Sequence, residues 1–240
     1  MVDFAAAYVA VQDRLIEIVE AVPADTVAVP ACPAWTVADV VAHLAGGIVD
    51  ATSSTGWELA GLELMDQWKD RDVAAARDAM TDRHVRSRRA RAVADIIAEW
   101  RCATEDLLPM LRGTIPFPAH LPGYIASVLI NDLVVHEGDI RQALRLPPAP
   151  DTAALSIALR GYGFSLHARI DELALPALVV SYDGKSRRFG TREPGPTLRG
   201  DRNTLVRVLA SRLTPEQLRT LDWEGDPEPY LPIVGAYGPA

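Results

Sequence analysis

The chain has 240 residues, 49% of them apolar and 23% charged, with a formal net charge of −8. That is length for one large domain or two small ones, and the balance of a globular protein rather than a disordered or membrane-embedded one. The negative charge disfavours attraction to nucleic acid or anionic membrane, which needs clustered Lys and Arg, and no uncharged apolar run approaches the roughly 20 residues of a bilayer span.

The opening residues carry acids through their apolar stretch and lack a basic n-region, which argues against a secretory signal and points to the cytoplasm. Phe4, Tyr8, Val11, Leu15, Ile18 and Val22 recur at three-to-four spacing and predict an amphipathic helix over 3–22, closed by Pro23. A Pro-bracketed connector, VPACPAW, leads to Thr36-Val-Ala-Asp39, a capping-box pattern with Asp at N3. Trp35 is placed to staple onto Val40, so a second helix begins near Val37. Residues 57–89 give only broken helical signals. A third helix is predicted over 92–111, ending at Gly113; IPFPAHLPG is a breaker-rich loop, and a fourth helix runs from about Tyr124 to Leu146, stopped by Pro147-Pro148.

Four long helices joined by short or moderate connectors predict a four-helix bundle over 1–148. Past the PPAPD linker the pattern changes: a helix near 152–173, two short strands around the hairpin turn Asp183-Gly184, then strand, turn and helix through TLRGDRNTLVRVLASRL, and a last strand at LDWEG. Residues 149–240 therefore read as a small α+β domain, and the whole chain as α+β.

The fourth predicted helix raises a question of burial. Asp132, His136 and Asp139 fall on its apolar face with Ile125, Val128 and Leu129, and a buried carboxylate without a partner costs several kcal/mol. Asp132 and His136 are about 6 Å apart along the axis, close enough to hold one ion between them. A third ligand must come from another helix, and His43 is the best candidate: it lies two turns into the second helix among Val40, Val41 and Leu44, beside the small Gly46-Gly47. His84, His120 and His167 stand in polar or loop contexts and are weaker choices. His43, Asp132 and His136 would form an N₂O triad with open positions, able to activate a water or a thiol. The competing reading is a hydrogen-bonded core histidine and an ordinary helix ion pair.

Two motifs, CPAWTVADVVAHLAGG and DLVVHEGDIRQAL, closely resemble the mycothiol-dependent maleylpyruvate isomerase family, whose N-terminal half is a DinB-like four-helix bundle. The tail segments TLRGDRNTLVRVLASRL and DWEGDPEPYLPIVGAYG are similar to that family's small sterol-carrier-like domain. The resemblance implies a divalent metal, usually zinc, held by His43, Asp132 and His136, with Asp132 one methylene shorter than the family's usual Glu. It also implies mycothiol, the small thiol of actinobacteria, as cosubstrate. That agrees with the alanine-rich, GC-rich character of a chain whose basic residues are arginine except for Lys69 and Lys185.

The chemistry this resemblance implies is a thiol activated as a metal-bound thiolate, either for cis-trans isomerisation of an unsaturated acid or for S-transfer to a small electrophile. Asp139 is expected to orient a ligand or a neighbouring helix, with Arg141 or Arg145 as its competing partner. Arg212 aligns with a family arginine and Arg199 lies just before it; Arg212 is expected to face the cleft between domains and hold a substrate carboxylate. The run Arg83, Arg86, Arg88, Arg89 and Arg91 reads better as a solvated helix face than as an anion-attracting rim. Cys32 has no base neighbour in sequence to mark it as a nucleophile. A thiol-independent metal hydrolase on the same bundle and a non-catalytic small-molecule or lipid-binding protein are the alternatives. The sequence leaves the electrophile, the metal's identity and the oligomeric state open.

Overall fold

The computed structural model describes residues 3–53, 71–150 and 152–237. The part of the ambiguous 57–89 stretch up to residue 70 lies outside the described residues, as does Asp151 of the linker. The described chain divides into two compact units, one ending at Ala154 and one starting at Leu155.

The N-terminal unit is helical. Helix α1 (Phe4–Glu20) starts at Asp3, whose carboxylate accepts from the Ala6 N–H at 2.9 Å. Helix α2 (Val37–Thr52) begins with a complete capping box: Thr36 Oγ1 accepts from the Asp39 N–H, and Asp39 Oδ2 accepts from the Thr36 N–H. Two of the N–H groups left orphaned at or near the helix start are satisfied reciprocally, which fixes where α2 begins and so where its later residues point. Helix α3 (Arg71–Arg86) emerges from the ambiguous stretch; α4 (Val93–Leu111) and α5 (Ile125–Ala143) come next.

α2 packs on α4, α3 and α5, and α1 packs on α5 and α4, giving a bundle of α1, α2, α4 and α5 with α3 laid against α2. Leu15, Ile16, Val40, Val41, Ile96, Leu107, Leu129 and Leu133 fill its core. Two buried polar contacts cross from α1 to α4: the Trp100 indole N–H donates to the Tyr8 hydroxyl at 2.8 Å, and Gln12 Nε2 donates to Thr104 Oγ1 at 2.8 Å. Burial raises the Tyr8 phenol pKa, so the hydroxyl stays protonated as a neutral core group. Glu137 on α5 is almost wholly buried and is gripped by Arg14 of α1 through both oxygens and by Arg141 one turn on.

The C-terminal unit is built on a four-stranded sheet. The single helix expected over 152–173 is instead two, α6 (Ala153–Tyr162) and α7 (Phe164–Glu172). They part at Gly163, where the Phe189 ring sits so close that an added Cβ would lie 2.8 Å from it. Strands β1 (Ala177–Tyr182) and β2 (Lys185–Phe189) form the expected hairpin; Asp183 and Gly184 both have positive φ, the conformation a two-residue turn of this hand requires. Strand β3 (Pro194–Arg199) pairs with β1 in parallel, and β4 (Asp222–Glu224) closes the order β2-β1-β3-β4. Between β3 and β4 lie α8 (Arg202–Leu209), capped by Asp201, and α9 (Pro215–Arg219), capped by a Thr214/Gln217 box. No helix among the described residues is long and apolar enough to cross a membrane.

Candidate metal centre

The capping box sets the register of α2, so His43 enters the core of the N-terminal unit two turns later, among buried Val40, Val41 and Leu44. On α5, Asp132 and His136 stand one turn apart and face α2. Asp132 Oδ2 lies 3.0 Å from His43 Nε2, and its other oxygen, Oδ1, lies 3.5 Å from His136 Nε2. The ligand atoms of the three residues all fall within 4.8 Å of one another. Both imidazoles are buried, at 7% and 5% side-chain exposure, while Asp132 is 37% exposed and forms the solvent side of the group. The two rings meet edge to face, their centroids 5.2 Å apart.

This donor set suits a divalent ion. Donors about 2.0–2.1 Å from a tetrahedral zinc stand roughly 3.3 Å from each other, close to the 3.0 and 3.5 Å separations across Asp132. Burial, only partly offset by the charge of Asp132, holds the His43 pKa below its ordinary value, which favours the neutral ligand form. His136 goes the other way. Burial would lower it, but the charge of Asp132 and contacts with Asp139 and Cys32 outweigh that and raise it to about 10, so without an ion His136 is protonated, and a metal that takes its Nε2 must displace that proton.

Asp139 is fully buried, with Oδ2 3.2 Å from His136 Nδ1, while Arg141 is taken by Glu137. Arg199 and Arg212 belong to the C-terminal unit. Arg199 pairs with Glu224 and lies 3.9 Å from Asp222 across the β3–β4 edge; the Arg212 guanidinium donates to the Ala210 carbonyl at 3.2 Å.

Several residues have a part here that sequence reasoning missed. His84, set aside as polar in context, is 3% exposed on α3: its Nδ1 faces His43 Nδ1 at 3.4 Å and its Nε2 lies 2.9 Å from Asp50 Oδ2. Gly46, one turn beyond His43, was the available signal, since a glycine inside a helix costs about 1 kcal/mol against alanine and marks a close approach. Cys32 does have a base beside it, for its thiol clusters with His136 and Asp139 within 4.8 Å. It is placed there by the tight VPACPAW turn, in which the Val29 N–H donates to the Trp35 carbonyl and the Trp35 N–H to the Cys32 carbonyl. The same turn lays the Trp35 ring 5.2 Å from His43 and 6.3 Å from His136.

The arginine run is also not a plainly solvated face. Arg88 is buried and forks onto Glu99, which Arg91 also holds, Arg89 forks onto Asp39, and Arg83 pairs with Asp50; Arg86, Arg89 and Arg91 are exposed as expected, but of these Arg86 alone pairs within its own helix, with Asp82 a turn back. The partners of Arg83, Arg88 and Arg89 lie on α2 and α4, 11 to 50 residues away, so the run fastens α3 and the turn after it onto the bundle.

A helical bundle with a buried histidine-carboxylate cluster, joined to a small α+β unit, defines the class. The family described as the mycothiol maleylpyruvate isomerase N-terminal domain matches residues 8–141, and the chain belongs to that family. No curated protein matches. Two crystal structures of the mycothiol-dependent maleylpyruvate isomerase, one of them an alanine variant, share the fold. They superpose with TM-scores of 0.54 and 0.56 (the latter for the variant) at 13% and 10% identity, with 88% of each chain covered.

Proposed function

We propose that the protein is a metal-dependent, mycothiol-using isomerase acting on a small unsaturated acid. The observation that carries this reading is the convergence of His43 Nε2 and His136 Nε2 on the two oxygens of Asp132, in a chain that belongs to the isomerase family. A divalent ion at this site supplies a positive seat that lowers the pKa of a thiol brought to it, so that the thiol acts as thiolate.

The protein's own groups do the rest. His43 and His136 offer two buried nitrogens, and Asp132 offers an oxygen on the solvent side, where a small thiol can approach. Trp35 lies beside both imidazoles, its ring tilted against each. The thiolate adds to the cis double bond, the resulting single bond rotates, and expulsion of the thiolate leaves the trans acid. S-transfer differs only in that the adduct persists. Holding the substrate carboxylate is the role assigned to Arg212 and Arg199, and a raised KM in Arg212→Ala with kcat little changed is its signature.

The test is to supply mycothiol and maleylpyruvate to zinc-loaded protein and follow the olefinic protons by NMR. Conversion of the cis to the trans acid that stops when either thiol or metal is withheld supports the proposal. A stable thioether detected by mass spectrometry makes the protein an S-transferase instead, and thiol-independent cleavage of the substrate into two smaller acids makes it a hydrolase.

A further inference from the structure

We propose that His84 is a positioning residue for the metal centre, a hydrogen-bond acceptor that fixes which nitrogen of His43 is bare. The inference rests on the metal site proposed above and deepens it.

Donors and acceptors decide the matter. An imidazole that gives Nε2 to an ion carries its hydrogen on Nδ1. His43 Nε2 is the atom turned toward Asp132, so Nδ1 must place its hydrogen elsewhere, and the atom it meets is His84 Nδ1 at 3.4 Å. That contact is useful only if His84 Nδ1 accepts. Asp50 makes it do so: a carboxylate is acceptor-only, and Asp50 Oδ2 lies 2.9 Å from His84 Nε2, so in the neutral ring Nε2 carries the His84 hydrogen and Nδ1 keeps a lone pair. Arg83, 3.0 Å from the same Asp50 oxygen, holds that carboxylate in place. The chain Arg83–Asp50–His84–His43 thus runs from the protein surface to the ligand atom, with each hydrogen assigned.

Packing supports the assignment independently. A Cβ on Gly46 would lie 2.6 Å from both Cβ and Cγ of His84, the part of the side chain nearest its backbone and least able to move. His84 therefore reaches His43 only because α2 carries no side chain at position 46. The two ring planes are 26° apart with centroids separated by 5.6 Å, so the rings lie nearly edge to edge, as a hydrogen bond between their nitrogens requires.

The test compares zinc affinity, by competition with a chromophoric chelator, in His84→Phe, His84→Asn and Gly46→Ala, with circular dichroism as the check on folding. Phenylalanine fills the space but accepts nothing, and should weaken zinc binding roughly 10- to 100-fold. Asparagine keeps an acceptor near the position of Nδ1 and should recover most of the loss. Gly46→Ala, which displaces His84, should resemble the phenylalanine variant. In zinc-loaded wild type, ¹⁵N-edited NMR should show hydrogen on His43 Nδ1 and on His84 Nε2. A phenylalanine variant with wild-type affinity, or hydrogen on His84 Nδ1, overturns the proposal while leaving the metal site standing. A wild-type chain that takes up no zinc overturns both.

Discussion

Arg89 holds both carboxylate oxygens of Asp39, through Nε at 3.0 Å and Nη2 at 3.1 Å, so the residue that completes the cap of α2 is also the anchor for the turn after α3. One carboxylate serves the start of one helix and the end of another. Asp39→Ala removes the reciprocal cap and the ion pair together and should cost about 1–2 kcal/mol. Arg89→Ala removes only a half-exposed partner and should cost less. Chemical denaturation of the two variants checks the order, and an equal or greater loss in Arg89→Ala contradicts it.

The same contacts predict a pH dependence. Burial works to raise the Asp39 carboxyl, but Arg89 and the Thr36 N–H overcome it and hold the pKa below its ordinary value. Glu99 is likewise opposed by burial and held down by Arg88 and Arg91. A carboxylate whose folded pKa is depressed contributes stability that is complete above its unfolded pKa and is lost as pH falls through the folded one. Arg88→Ala should therefore destabilise the protein most near neutrality, and its difference from wild type should shrink as pH drops below the ordinary carboxylate range. Urea melts at several pH values give the answer; a difference independent of pH would contradict the linkage.

Two donor sets share His136, one with His43 and Asp132 and one with Cys32 and Asp139. If the ion sits between α2 and α5 as proposed, His43→Ala or Asp132→Asn should abolish its retention through gel filtration while Cys32→Ser keeps it. Metal analysis of the purified variants separates the two sets, and loss on Cys32→Ser with retention in Asp132→Asn would move the ion to the thiol side.

Trp100 is wholly buried and gives its only polar hydrogen to Tyr8. Trp100→Phe leaves a smaller ring and a buried hydroxyl without its donor, and should cost about 2–4 kcal/mol. Thermal unfolding measures the loss, and zinc uptake should persist in the folded fraction.

How much of this is legible in the sequence depends on the range of the cause. The start of α2 is readable because Thr36 and Asp39 are three residues apart, and the β1–β2 turn because Asp183 and Gly184 are adjacent. Asp132 and His136 stand out because two polar groups one turn apart interrupt an apolar face, and His43 because its neighbours are all apolar. His84 is hard to read: the groups that define it, His43 and Asp50, lie 41 and 34 residues away, Asp82, Arg83 and Arg86 around it are charged, and the one hint, Gly46, stands on another helix. The arginines around it look solvated for the same reason. The need for glycine at position 163, where α6 and α7 part, is set by a ring 26 residues downstream, whereas the Thr214/Gln217 cap of α9 is local and readable, but the helix it starts is only five residues long.

The small sheet has two free margins, and they are guarded differently. Among the described residues, β2 at one margin carries Lys185, Arg187 and Arg188, a concentration of like charge on the edge strand; at the other, β4 is three residues long. Short or cationic borders deter strand addition, so neither end of the described sheet offers a further strand a favourable ladder.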